Sequence, residues 1–291
     1  MTRMLAAAVA VLAGMAALVQ AASATPANPH GHSGSAAAVT VSSATAQATG
    51  DGSMATAAAT CPGGTKATGG GFDAPSSAEV VGLVYESVKV QQHAWRASVQ
   101  LFDPGDPSTL TLTTHVYCRS GSPATKASAE TVPTIGELQV GPSASASCPR
   151  GEAAVAGGFH MPPPLVGPTV TDLFFDSIRS GDSGWDARVV TGPAGPSSVT
   201  SEAYCTKAIA PPAEVTASSR PSGLDFERVT AAATCPAGLA PLAGGFAQPD
   251  SGPISFFFVD SSKLVGESWQ VSGLHSGGEP AVALTSSAYC G

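Results

Sequence analysis

The sequence predicts an all-β chain of three tandem, disulfide-stapled, sandwich-like modules, and three observations predict it. Six cysteines recur with a period of 87 residues, shortened to 85 at the last interval. The motifs between them recur with the same period, which is the signature of a duplicated unit. After the first two dozen residues, short alternating segments are broken by Gly- and Pro-rich turns, and no stretch has convincing helical periodicity.

The chain opens with Arg3 and an uncharged, Ala-rich apolar run from Met4 to Val19, followed by the small-x-small sequence Ala22-Ser23-Ala24. This pattern predicts an export signal over 1–24, cleaved after Ala24. The run is short for a membrane span, which needs roughly 20 apolar residues. The mature chain is therefore expected to be soluble and extracellular. Residues 25–54 are rich in Ala, Ser, Thr and Gly and are expected to be a tail or linker. Modules are then expected over 55–120, 121–207 and 208–291, with weaker linkers near 119–133 and 206–222.

Each copy begins with Cys-Pro-x-Gly, at Cys61, Cys148 and Cys235. Pro in the second place and Gly in the fourth suit a type I turn. Eleven residues after each of these cysteines comes Phe72, Phe159 or Phe246, preceded by Gly-Gly. Two glycines in a strand-like run predict a bulge or a close backbone approach. An apolar run then ends in acid-Ser: Glu86-Ser87, Asp176-Ser177 and Asp260-Ser261. Nine residues after each acid stands the single Trp of the copy, Trp95, Trp185 or Trp269. The polar segment between acid and Trp reads as a hairpin loop.

The closing strand puts Leu112, Val116 and Cys118 on one face, with Val199, Ala203 and Cys205, and Leu284, Ala288 and Cys290, as equivalents. The other face carries Thr113, His115 and Tyr117, then Thr200, Glu202 and Tyr204, then Thr285, Ser287 and Tyr289. A repeated Thr/Tyr frame with a changing centre is the best candidate for a binding surface; outward residues chosen for β-propensity would give the same pattern.

Six cysteines allow fifteen pairings. Repetition selects Cys61–Cys118, Cys148–Cys205 and Cys235–Cys290, and an exported chain permits oxidation. Closing a loop of this length is worth on the order of 4 kcal/mol by the chain-entropy description. A zinc site is disfavoured, because there is no C-x-x-C pair and no His near a Cys in all three copies. Modules of about five strands each are the favoured arrangement. Short linkers keep a second one open: a single assembly of pseudo-threefold symmetry in which the copies share a core.

A net charge of −8, with only 12% charged residues, argues against nucleic acid and anionic membranes as partners. Gly181-Asp182-Ser183-Gly184 matches the serine motif of trypsin-like proteases but lies in a polar hairpin loop without His and Asp in the matching context. There is no G-x-S-x-G. The repeated acids offer one carboxylate per copy where glycoside hydrolysis needs two, so a structural role is expected for them. The tryptophans read as core anchors, with a sugar-stacking platform as the alternative. His30 and His32 lie in the tail and bind metal weakly at best. No cofactor is expected.

The string Cys-Pro-x-Gly, Gly-Gly-Phe, Trp strand, Tyr-Cys resembles repeats in uncharacterised secreted proteins of high-GC actinobacteria. The resemblance covers nearly all of the chain after residue 55 and implies no particular activity. The order Cys…Trp…Cys is shared with immunoglobulin domains, but here Trp follows the first Cys by 34 to 37 residues and Tyr adjoins the second Cys. The expected function is that of a secreted non-catalytic binding or structural protein, associated with cell wall, spore or polysaccharide and binding an extracellular polysaccharide or protein. A secreted protease inhibitor or effector is the alternative, and a glycan hydrolase using the repeated acids comes third.

Overall fold

In the computed structural model, residues 39–50, 52–102, 108–120, 126–134, 139–162, 173–191, 197–207, 210–249, 255–277 and 282–291 are described. The expected signal, 1–24, lies outside them, as do His30 and His32. Every regular element among the described residues is a β-strand, so the all-β expectation holds. The first copy supplies β1 (Thr40–Thr49), β2 (Ala55–Thr60), β3 (Thr65–Asp73), β4 (Gly82–Val90), β5 (Ala94–Leu101) and β6 (Thr109–Ser120). The second supplies β7 (Lys126–Thr134), β8 (Gln139–Ser147), β9 (Ala153–His160), β10 (Leu173–Ser180), β11 (Gly184–Thr191) and β12 (Ser197–Thr206). The third supplies β13 (Ala213–Ser219), β14 (Arg228–Thr234), β15 (Pro241–Ala247), β16 (Phe256–Val265), β17 (Ser268–Ser276) and β18 (Leu284–Cys290).

Each copy therefore has six strands rather than five, and the extra strand is the first. Thr40–Thr49 was expected in a linker, yet it pairs with β6 from Thr40↔Cys118 to Thr49↔Thr109. β7 and β13 likewise lie in the expected weaker linkers and pair with β12 and β18. These strands escape a hydrophobicity reading because they are built of Ala, Ser and Thr. In β1 the inward positions include Ala44, Ala46 and Ala48, and Ala48 is fully buried.

Within a copy, the strands form two three-stranded leaves, such as β2-β5-β4 and β1-β6-β3, which pack face to face like a sandwich. The three expected disulfides staple the copies internally, with Cα–Cα distances of 5.6–5.7 Å. Each leaf also continues into a leaf of the next copy. The sheets run β2-β5-β4-β9-β12-β7, β13-β18-β15-β10-β11-β8 and β1-β6-β3-β16-β17-β14. Sandwich-like copies are thus closed into a ring. Sheet edges meet at the corners, where β1 lies against β2, β7 against β8 and β13 against β14, so edge strands are covered.

The Gly-Gly-Phe motif specifies this closure. Phe72, Phe159 and Phe246 meet edge to face, with centroids 6.0, 6.5 and 5.8 Å apart pairwise, and mark a pseudo-threefold axis. The first glycine of each pair makes room for the copy's own tryptophan: a Cβ on Gly70, Gly157 or Gly244 would stand 2.0–2.1 Å from the indole of Trp95, Trp185 or Trp269. The second admits the neighbouring copy: a Cβ on Gly71, Gly158 or Gly245 would stand 2.3–2.4 Å from the carbonyl of Ser262, Ser87 or Ser177.

The Cys-Pro-x-Gly turn is displaced by one residue from expectation. The closing bonds run from Thr65 N to Pro62 O, Glu152 N to Pro149 O and Leu239 N to Pro236 O. Gly64, Gly151 and Gly238 then occupy the third turn position with φ of 82–86°. That is a type II turn, which requires positive φ there and hence glycine.

Candidate functional site

The inward face of the closing strands is as the alternation predicts: Leu112, Val116, Cys118, Val199, Ala203, Cys205, Leu284, Ala288 and Cys290 are all buried. The outward face is not a continuous binding surface. Thr113, His115, Thr200, Glu202 and Thr285 are half-buried, whereas Ser287, Tyr117, Tyr204 and Tyr289 are buried. The tyrosines are wedges between copies. Copy-to-copy strand pairing lasts only one or two residues: Glu86↔His160 with Ser87↔Phe159, Ser177↔Phe246, and Ser261↔Asp73 with Ser262↔Phe72. Where the strands then part, a backbone N–H would be orphaned. Each tyrosine hydroxyl accepts that bond from the other copy: Lys89 N to Tyr204 at 2.6 Å, Arg179 N to Tyr289 at 2.7 Å, Leu264 N to Tyr117 at 2.7 Å. Each ring also meets the neighbour's tryptophan edge-on, at 5.3–5.5 Å. Burial raises the hydroxyl pKa of all three tyrosines.

The tryptophans are core, each 1% exposed. Every indole N–H donates at 2.9 Å to a serine of its own copy: Ser87, Ser177 or Ser262. No stacking platform exists at these positions.

The acids are buried and paired. Glu86 accepts from Arg96 Nε and Nη2 and from Ser98. Asp176 pairs with Arg188 and accepts from the backbone of Gln248. Asp260 pairs with Arg228 and accepts from the backbone of Ser76. Burial raises the Asp260 pKa against the opposing pull of Arg228 and Ser76. Asp260 is not the strand equivalent of the other two. The bulge residue of the acid strand is Tyr85 in the first copy and Phe175 in the second, but Asp260 itself in the third. The third hairpin loop is one residue shorter, so constant spacing in sequence conceals a one-residue shift in register.

Each junction brings different groups beside the central residue of the closing strand, half-buried in the first two copies and buried in the third. Glu202 lies near Glu86, His160 and Arg96; burial raises its pKa and the Tyr204 hydroxyl, which donates to it, opposes the rise. His115 lies near the Lys263–Asp73 pair, 2.5 Å apart, and burial lowers its pKa. Ser287, opposite Gly245, is the third. No nucleophile–base pair recurs at these junctions. Gly181, Asp182 and Ser183 form an exposed hairpin turn whose carbonyls receive Cys148 N and Ala154 N. Among the described residues, no group of three or more His, Cys, Asp or Glu could hold a metal ion.

Threonine and serine hydroxyls, which carry no motif, form cross-strand pairs on the sheets: exposed Thr56 and Thr230 with buried Ser98 and Ser272 at 2.9 Å, Ser218–Thr285 at 2.8 Å and Thr234–Ser268 at 2.7 Å. On the β1–β6 face Thr113, Thr111 and Thr109 stand opposite Thr45, Gln47 and Thr49. No protein-family model matches the chain, and no curated protein is significantly similar to it.

Proposed function

We propose that this is a secreted, non-catalytic binding or structural protein that presents its sheet faces to cell-wall, spore or polysaccharide material. One observation carries the reading. The repeated side chains able to do chemistry are spent inside the fold, while hydroxyl rows with little charge face outward. The Trp, acid and Tyr of each copy serve packing, ion pairing and closure between copies. Three disulfides, of a kind that persists in oxidising compartments, support export. The Thr109–Thr113 row offers neutral donors and acceptors suited to a hydroxylated polymer, and the hydroxyl pairs Thr56–Ser98 and Ser218–Thr285 on the other two sheets would add weak contacts that raise avidity. The inhibitor reading gains no support from the exposed loop at Leu224, 68% exposed, because its carbonyl turns inward to His275 Nδ1 at 3.3 Å.

The test is retention on isolated cell walls and on chitin, cellulose and dextran. Retention is expected, with several-fold loss on replacing the outward Thr111 and Thr113 together by Lys and no fall in thermal midpoint. Passage of the wild type through every matrix would overturn the reading.

A further inference from the structure

Next to the disulfide of the first copy, Lys66 on β3 stands directly opposite Arg119 on β6. Cross-strand partners share a face, and like charges placed there repel. The equivalent pairs in the other copies are Ala153 with Thr206, and Ala240 with Gly291, so the repeat itself does not require two cations at this position. Arg119 is half-buried, and its Nε and Nη2 are shielded from solvent with no hydrogen-bond partner among the described residues. That side-on edge is the one Arg96 and Arg188 use to grip Glu86 and Asp176. A third cation adds to the field: the charge of Lys66, after burial, helps hold the Lys89 pKa down at about 8. A buried guanidinium edge without an acceptor, facing a second cation across the ladder, is costly unless an anion completes it.

We infer that the Lys66–Arg119 pair is a binding site for a tetrahedral oxyanion, phosphate or sulfate, which draws the guanidinium edge out of its shielded position and accepts from Arg119 Nε–H and Nη2–H and from the Lys66 ammonium. Tetrahedral oxyanions suit this edge because they accept two parallel N–H bonds and leave further oxygens for the ammonium. The oxyanion is either free or an ester on a glycan, since both present the same oxygens. The site is independent of the hydroxyl faces.

The experiment uses the whole chain and follows the thermal midpoint against inorganic phosphate and sulfate, with chloride at matched ionic strength as control. A saturable rise specific to the oxyanions is expected. Arg119→Met should raise the midpoint in chloride, because it removes an unpaired buried charge, and should weaken oxyanion affinity at least tenfold. Lys66→Met should weaken it several-fold, and Lys207→Met, an exposed lysine elsewhere, should leave it unchanged. Arg119→Lys, which keeps the charge but loses the planar edge, gives the same tenfold loss if the Met variant does not fold. Dextran sulfate competing with phosphate where neutral dextran does not identifies an ester source; failure of both assigns the free ion. Identical wild-type curves in phosphate and chloride, or an unchanged response in both Arg119 variants, would overturn the inference.

Discussion

Lys89 shows how a single side chain is subordinated to the joint between copies. Its backbone N–H is held by Tyr204 of the second copy, and its ammonium lies 5.4 Å from the centre of that ring. Burial, helped by Lys66, lowers its pKa from 10.5 to about 8. In the unfolded chain the lysine keeps its proton to higher pH, so between about 8 and 10.5 the unfolded state binds more protons. Stability contributed by this group therefore rises with pH through that window and is lowest below it. Lys89→Met should raise stability at pH 7 and flatten the rise between pH 8 and 10, as measured by urea denaturation across that range. An unchanged pH profile would contradict the assignment.

At the scale of strands, what the sequence disclosed depended on side-chain contrast. The closing strands were legible because Leu112, Val199 and Leu284 alternate with polar residues, and all three are fully buried. The disulfides were legible because repetition allowed one symmetric pairing within copies. β1, β7 and β13 were not, since Ala against Ser or Thr gives almost no hydrophobic alternation; their order comes from backbone pairing and from small side chains in a tight space. The candidate face was half legible. Period two placed Tyr117, Tyr204 and Tyr289 correctly on the side away from the leaf core, but nothing local reveals that another copy covers them. The register shift at Asp260 was hidden for a related reason: the loop is one residue shorter and the acid sits one position earlier, on the bulge itself, so its distance to Trp in sequence is unchanged. β1 makes a ten-residue ladder with β6, so deleting residues 39–49 should lower the thermal midpoint by roughly 10 °C, at about 2–4 °C per kcal/mol for a domain of this size. A chain lacking β1 that melts with the wild type would show that the segment is a tether after all.

The described residues form a ring of three stapled copies whose repeated motifs encode the contacts between copies as much as the copies themselves. Gly-Gly admits one tryptophan and one neighbouring strand, Phe fills the axis, and Tyr closes the split between leaves. Such a molecule melts as a unit, because no copy completes its own sheets. Calorimetry of Phe159→Ala tests this most directly. Truncating a buried aromatic of the second copy costs about 3–5 kcal/mol. One transition is expected in the wild type, with calorimetric and van't Hoff enthalpies equal, and that entire transition is displaced in the variant. Three separable transitions, with only the one belonging to the second copy displaced, would contradict it.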